Sequence, residues 1–306
     1  MKKVLIAYRL KPEGLQELAG KYEVTLPTGK SSFSREEVLA MIPDFEVLVP
    51  SFSFYTDKEI MERGARLELI SNWGVGFNNI DVDYATQKGI VVTNIPDSTR
   101  EPTAEFAFGL LMASGRRISY YDRKLRMPEG VSWGAYAEAG LPVYGKTLGI
   151  IGMGRIGQAL ARRAVASGMD IIYHNRNRLS REIEELYNAN YVSLDNLLRT
   201  ADYISLNAPS TKETHHMIGK RELYMMKPTA VFINTARGDM KRIWAAALDV
   251  FENEPYIFPE LLTLDNVILT PHAGTKTMED RINMSIEMSR NIVGFYEGIF
   301  PVSRVN

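Results

Sequence analysis

The 306-residue chain has no cysteine, which excludes disulfides, thiolate metal sites and thiol nucleophiles and suits a reducing compartment, so cytoplasm is the expected location. It has no excess of one charge: 36 basic against 37 acidic residues leave a net charge of -1, too little to draw a nucleic acid or an anionic membrane. No run approaches the ~18 apolar residues of a membrane span. The start, Met1-Lys2-Lys3 then VLIAY, has a basic front, but Arg9 and Lys11 cut the apolar run short, so it reads as a first buried strand and the mature chain is expected to begin there. There is no low-complexity linker and no repeat of fixed period.

What is present is ordinary globular composition, 45% hydrophobic and 24% charged, in a chain longer than one compact domain usually is. Short β-rich runs (VLIAY at 4–8, EVLVPS at 46–51, LELIS at 67–71, GIVVTN at 89–94) alternate with helical patterns such as REEVLAMI and DKEIMERGA. That alternation predicts a parallel sheet with helices on both faces. The run 100–117 predicts one long helix leaving this unit, with acids near its start and arginines at its end. A second series follows Gly145: TLGIIG, a helix from Arg155, then DIIYHN, DYISLNA, AVFINTA, IWAAALDV and NVILTPH. The fold class is therefore α/β, with two Rossmann-like doubly wound parallel sheets. The first domain is expected over 1–98 plus 275–306, the second over 99–274, the two meeting across a cleft.

Gly152-Met153-Gly154-Arg155-Ile156-Gly157 is a G-x-G-x-x-G that follows an apolar strand and opens a helix, the context in which glycines let backbone approach a pyrophosphate. A dinucleotide is the expected ligand. NAD-binding folds place an acid at the end of the next strand to bind the ribose 2′-hydroxyl. Here that position reads His174-Asn175-Arg176-Asn177-Arg178. Asparagine followed by arginines suits a 2′-phosphate, so NADP(H) is favoured and NAD(H) is the alternative. After the strand LELIS, Gly74-Val75-Gly76 can converge backbone N–H groups on an anion. Phe52 and Phe54 read equally well as core aromatics or as a wall of a substrate pocket. His215 and His216, in a helix-like KETHHMI stretch, read as surface or packing residues, and no metal is expected.

NWGVGFNNIDV at 72–82, EPTAEFAFGLL at 101–111, LGIIGMGRIG at 148–157, MKPTAVFINTARG at 226–238, LDVFENEP at 248–255 and TPHAG at 270–274 together resemble the D-isomer-specific 2-hydroxyacid dehydrogenases, and within them the glyoxylate/hydroxypyruvate reductases. The resemblance runs through nearly the whole chain in family order. It implies reduction of a short 2-oxoacid by NADPH, with Arg237, Glu254 and His272 as catalytic residues. Arg237 would bind the carboxylate and polarise the carbonyl, while His272 would protonate its oxygen. Glu254, on the far imidazole nitrogen, would orient the ring and favour its protonated form. Val75 and Gly76 would be backbone donors to the substrate carboxylate, beside Phe52. The cofactor set would comprise Gly152, Gly154, Arg155, Ile156, Gly157, Asn175, Arg176, Ala208, Pro209, Thr235, Ala236, Asp249, Gly274 and Thr103. A homodimer is implied, with the arm around Trp133 and Tyr136 as its contact. The alternatives are an NADH-linked D-lactate- or phosphoglycerate-type dehydrogenase and a non-catalytic NAD(H)-binding corepressor-like protein.

One segment departs from the family. Only twelve positions separate Arg237 from Asp249 (249 − 237), where the family has a crossover helix, and a parallel crossover needs about a dozen residues or more. Either the chain as given omits residues at 238–243 or the connection is truly shortened. In the second case the strand IWAAALDV is expected to be displaced or antiparallel.

Overall fold

The computed structural model describes residues 1–51, 53–209, 211, 213–234, 244–252, 254–300 and 302–306. The expected site residues Phe52, Thr235, Ala236 and Arg237 and the short connection at 238–243 lie outside the described residues. The chain divides into two units, Met1–Thr99 with Lys276–Asn306, and Arg100–Thr275.

The first unit is built on β1 (Lys2–Ile6), β2 (Tyr22–Thr25), β3 (Val47–Val49), β4 (Leu69–Ser71) and β5 (Val91–Thr93), with α1 (Arg35–Met41), α2 (Lys58–Arg63) and α3 (Val82–Gln87) between strands. All neighbouring strands are parallel, in the order β2-β1-β3-β4-β5. Successive side chains point to opposite faces, so Val4, Ile6, Val47, Val49 and Leu69 enter one apolar cluster and Leu5, Leu48, Ile70 and Val92 the other. Helix starts follow from short polar side chains: Ser34 forms a capping box with Glu37, and Asp57 and Asp81 accept from Ile60 N and Tyr84 N. Strand β2 was not expected from the sequence, because YEVT is a four-residue edge strand with one buried side chain. At the other edge, Asn306 accepts from Val92 N at 2.8 Å and donates to Ile90 O at 2.9 Å, covering β5.

The second unit opens with α4 (Arg100–Gly115) and α5 (Ile118–Leu125). The single helix expected over 100–117 is thus ended early, by Arg117 in the left-handed region (φ 55°). There follow β6 (Thr147–Ile151), α6 (Arg155–Ala166), β7 (Asp170–His174), α7 (Arg181–Tyr187), β8 (Ala189–Tyr191), α8 (Leu194–Thr200) and β9 (Tyr203–Leu206). Then come α9 (Lys220–Met225), β10 (Val231–Asn234), β11 (Ala245–Leu248), α10 (Pro259–Leu262) and β12 (Val267–Leu269). The seven strands are all parallel, in the order β12-β11-β10-β9-β6-β7-β8. The order reverses between β6 and β9, and ligands of open α/β sheets bind at such a switch point, beyond the carboxyl ends of the strands. The stretch at 213–216 is a turn rather than the helix-like segment expected, with His216 at φ 54°. Strand β11 lies parallel beside β10, with Val231 opposite Ala245, so the displacement expected of a shortened connection is not found in the strands that flank it.

Close approach explains two features of this core. Three alanines make up most of β11, and Ala245 and Ala247 share an apolar cluster with Ala104 and Ala107 of α4. At the end of α4, a Cβ on Gly115 would stand 2.1 Å from the hydroxyl of fully buried Tyr203, which itself donates to Pro142 O at 3.0 Å. Within the same helix no described residue lies within 4 Å of a Cβ on Gly109.

These two glycines make opposite predictions. Gly109→Ala should raise stability by about 0.5–1 kcal/mol, the helix preference of alanine over glycine. Gly115→Ala should lower it by about 1–3 kcal/mol, because overpacking against a ring that cannot move outweighs that preference. Denaturant midpoints of the two variants and the parent check both signs; equal shifts would disprove the packing argument.

Candidate active site

The carboxyl ends of the strands of the second unit carry most of the described residues singled out in the sequence. Beyond β6, Gly152 has φ 89°, a value L side chains rarely adopt, and a Cβ there would lie 2.6 Å from Ala208 N. Gly157 is closed by the Gly152 carbonyl, 2.6 Å from where its Cβ would be. Gly154 caps α6 and faces open space, so the loop is tight on its protein side and clear on the side where helix N–H groups point. Arg155 and Ile156 begin that helix, Arg155 exposed and Ile156 packed against the core. Ala208 and Pro209 follow β9, on the other flank of the switch point.

At the end of β7, the Oδ1 atom of Asn175 accepts from Met153 N at 2.7 Å, so the residue that replaces the usual acid also braces the glycine loop. The two arginines after it differ. Arg178 is bound bidentately by Glu184 (2.8 Å from each oxygen), and that guanidinium, with the Tyr173 hydroxyl, pulls the Glu184 carboxyl down to about 2. Arg176 is exposed and has no ion-pair or hydrogen-bond partner among the described residues. Of the two cations, Arg176 is the one left available to a phosphate.

Beyond β11 and β12 the structure assembles an acid–base pair. His272 Nδ1 lies 2.9 Å from Glu254 Oε2, although 18 residues separate them, and the histidine side chain keeps 40% of its exposure. Glu254 is in turn oriented by Phe251 N, which donates to its Oε1 at 2.9 Å. Asp249, expected among the cofactor residues, is 2% exposed, and its carboxylate accepts three hydrogen bonds from the 270–274 loop. The donors are Thr270 Oγ1 (2.6 Å), Ala273 N (2.7 Å) and Gly274 N (2.9 Å), while His272 N donates to Asp249 O at 2.8 Å. That clamp holds His272 at φ 50°, a left-handed conformation costing roughly 1–2 kcal/mol that the surrounding bonds must offset. Gly274 fits closely, with Asp249 Oδ2 at 3.3 Å and Thr103 of α4 at 3.7 Å from a Cβ placed there. The loop-holding part of Asp249 could not be read from the sequence, since its acceptors and donors are 21 or more residues apart.

In the first unit, the loop after β4 is shaped by buried asparagines that sequence reasoning passed over. Asn72, fully buried, donates to Gly76 O at 2.6 Å and Gly74 O at 3.3 Å, and Asn94 donates to Val75 O at 2.8 Å. Asn79 locks Asn72 by donating to its Oδ1 at 3.3 Å. All three loop carbonyls are thereby occupied, whereas Val75 N and Gly76 N have no acceptor among the described residues. Two N–H groups without an acceptor in a glycine turn are the kind of feature that can bind an anion. The available signal was three asparagines flanking a G-x-G loop, in NWGVGFNN and VTNIP.

Comparison with known proteins agrees with this geometry. Residues 108–274 match the family model of the D-isomer specific 2-hydroxyacid dehydrogenase NAD binding domain. A glyoxylate reductase of Thermococcus onnurineus is 40% identical over 320 aligned residues, covering 99% of this chain and 96% of the relative. The alignment is longer than this chain, so at least 14 positions (320 − 306) set a residue of the relative against a gap here. Among solved structures, a glyoxylate reductase from Paecilomyes thermophila superposes with a TM-score of 0.86 at 32% identity, over 99% of this chain and 98% of that one. An NADPH-dependent glyoxylate/hydroxypyruvate reductase from Sinorhizobium meliloti, in complex with NADP and malonate, gives 0.85 at 30% identity, over 99% and 96%. A family model spanning more than half the chain and full-length relatives at this identity, on a fold whose glycine loop and His–Glu pair stand where the sequence motifs put them, show that the chain belongs to the D-isomer-specific 2-hydroxyacid dehydrogenases, a family of nicotinamide-dependent oxidoreductases.

Proposed function

We propose that the protein is a 2-oxoacid reductase that converts glyoxylate or hydroxypyruvate to the 2-hydroxyacid with NADPH. The observation that carries the reading is the 2.9 Å contact between His272 and Glu254 at the carboxyl edge of the sheet that also carries the glycine loop. The residues present are compatible with the nucleotide: a Cβ would fill the turn at Gly152 and Gly157, no described residue crowds Gly154, and Arg176, just beyond β7, is exposed. In this reading the Arg100–Thr275 unit binds the cofactor through Gly152, Gly154, Arg155, Ile156, Gly157, Asn175, Arg176, Ala208, Pro209 and Thr103. Thr235, Ala236, Asp249 and Gly274 complete that set. When bound, the dihydronicotinamide supplies the hydride for C2 of the oxoacid.

The chain's own residues supply the rest. His272 gives its Nε2 proton to the C2 oxygen as that oxygen gains the electron pair of the carbonyl, so one hydride and one proton make the alcohol. Glu254 accepts from Nδ1 and fixes the ring plane, a positioning role. Arg237 contributes the cation for the carboxylate and the polarised carbonyl, a role that rests on its place in the TARG motif. The N–H groups of Val75 and Gly76 form a second carboxylate-binding element, and Phe52 an apolar wall. Trp133 and Tyr136, 89% and 93% exposed, belong to the segment that a homodimer would cover. The Sinorhizobium relative supports the preference for NADPH, being NADPH-dependent by name and bound to NADP.

A steady-state screen of glyoxylate, hydroxypyruvate, pyruvate and phenylpyruvate with each nicotinamide tests the proposal. The highest kcat/KM should fall on one of the first two with NADPH; turnover of none of them would overturn it, and preference for pyruvate with NADH would move the protein to the lactate-type reading.

Two variants test the roles. Arg176→Asp should raise the KM for NADPH by about 10–100-fold, the worth of a hydrogen bond to a charged group, and change that for NADH far less. An equal rise for both cofactors would show that Arg176 does not read the phosphate. His272→Asn should lower kcat by ~10²–10⁴-fold while NADPH titration stays near that of the parent, because the imidazole acts on substrate oxygen. A kcat within twofold of the parent would remove His272 from the mechanism.

A further inference from the structure

Outside the catalytic pair, the described residues bring one other set of metal-ligating side chains together: His215, His216 and Glu252, all exposed, with one ligand atom of each lying within 4.8 Å of the others. The geometry points to a binding site here for a divalent transition-metal ion of the zinc class, with two imidazoles and one carboxylate as ligands.

The two rings are 3.8 Å apart centroid to centroid, inclined at 35°. Adjacent side chains in an extended or helical chain diverge; these converge where His216 adopts φ 54°. Both Nε2 atoms face the same oxygen, Glu252 Oε1, at 3.8 Å from His215 and 3.2 Å from His216. As a purely proton-mediated contact the arrangement satisfies only one ring, since His216 Nε2 is within hydrogen-bond distance of Glu252 Oε1 and His215 Nε2 is not. The longer distance is no hydrogen bond, and charging both rings would put two cations in ring contact. For a metal it is close to what is needed, since ligands ~2.0–2.1 Å from a tetrahedral ion stand ~3.3 Å from one another. Two imidazoles with one carboxylate select zinc, nickel, cobalt or copper over magnesium or calcium, which prefer all-oxygen shells. With three protein ligands on an exposed surface, water would complete the coordination.

Both ligand-bearing segments have a firm base. His215 N donates to Thr211 O at 2.9 Å and Met217 N to Thr214 O at 3.2 Å, closing the turn, and Ile218 is buried in the same apolar cluster against which Met217 and Phe251 pack. Glu252 lies one residue beyond Phe251, whose N–H orients Glu254. An ion at this site would therefore tie the 213–216 turn to Glu252, next to the residue whose N–H orients Glu254.

Titration of the metal-free full-length protein with Zn2+ against a chromophoric chelator, with no substrate present, tests the site. The parent should bind one equivalent that His215→Ala/His216→Ala loses and that His272→Asn keeps. Substitutions outside a metal's direct ligands already cost ~10–100-fold in affinity, so His216→Ala alone should weaken binding at least about tenfold, and Glu252→Gln should weaken it as well. Thermal unfolding gives a second readout: Zn2+ should raise the midpoint of the parent and leave that of the double variant unchanged. Absence of stoichiometric binding by the parent, retention of it by the double variant, or its loss in His272→Asn would overturn the proposal.

Discussion

The carboxylate of Asp249 is the interaction on which the rest of the site depends. It sits at the end of a buried all-parallel strand, 2% exposed, and accepts three hydrogen bonds from the loop beyond the neighbouring strand. A buried charge is costly unless it is fully hydrogen-bonded, and here the bonds that satisfy it are the bonds that shape the loop. His272 is held in a backbone conformation it would not choose alone, and its ring meets Glu254, itself oriented from Phe251 N. The His272–Glu254 pair is thus positioned by hydrogen bonds, from the Thr270 hydroxyl and from the backbone N–H groups of Ala273, Gly274 and Phe251.

That arrangement requires parallel strands. In the second sheet β6, β9, β10, β11 and β12 run the same way, so their carboxyl ends share one edge, and residues from positions 152, 208, 249 and 272 become neighbours of a single surface. The reversal of strand order between β6 and β9 opens that edge beside the glycine turn. The narrow face of β11, lined with alanine where α4 packs, shows the same economy of space as the glycines at 115 and 152.

In the first unit a different device serves a similar end. In the loop at Gly74–Gly76, Asn72 and Asn94 engage the carbonyls, while Val75 N and Gly76 N have no acceptor among the described residues. A side-chain carboxamide can do this because it donates twice and accepts as well, so one buried asparagine satisfies two loop carbonyls and is itself locked by a third residue. In the second unit Arg176 is an exposed cation with no partner among the described residues.

The sequence by itself determined the α/β class, the positions of the longer strands and the glycine turn, because apolar runs of four or more residues and a G-x-G-x-x-G in strand–turn–helix context are local patterns that tertiary contacts rarely overrule. It also singled out His272 and Glu254, whose motifs follow candidate strands, while the contact between their side chains is seen only in the fold. Short edge strands such as Tyr22–Thr25 and Ala189–Tyr191 escaped notice, since three or four residues with one buried side chain carry little periodicity. The break at Arg117 was hidden in a continuous helical pattern, and the 212–218 stretch looked helical although its histidines occupy a turn. Only the tertiary structure decided that Asp249 clamps the loop of His272, that Glu184 takes Arg178 and leaves Arg176, and that His215 and His216 face Glu252. Each of these is a pairing of charges or hydrogen-bonding groups between separate segments, and such pairings depend on which strand ends and turns the sheet places side by side, information that spacing along the chain does not hold.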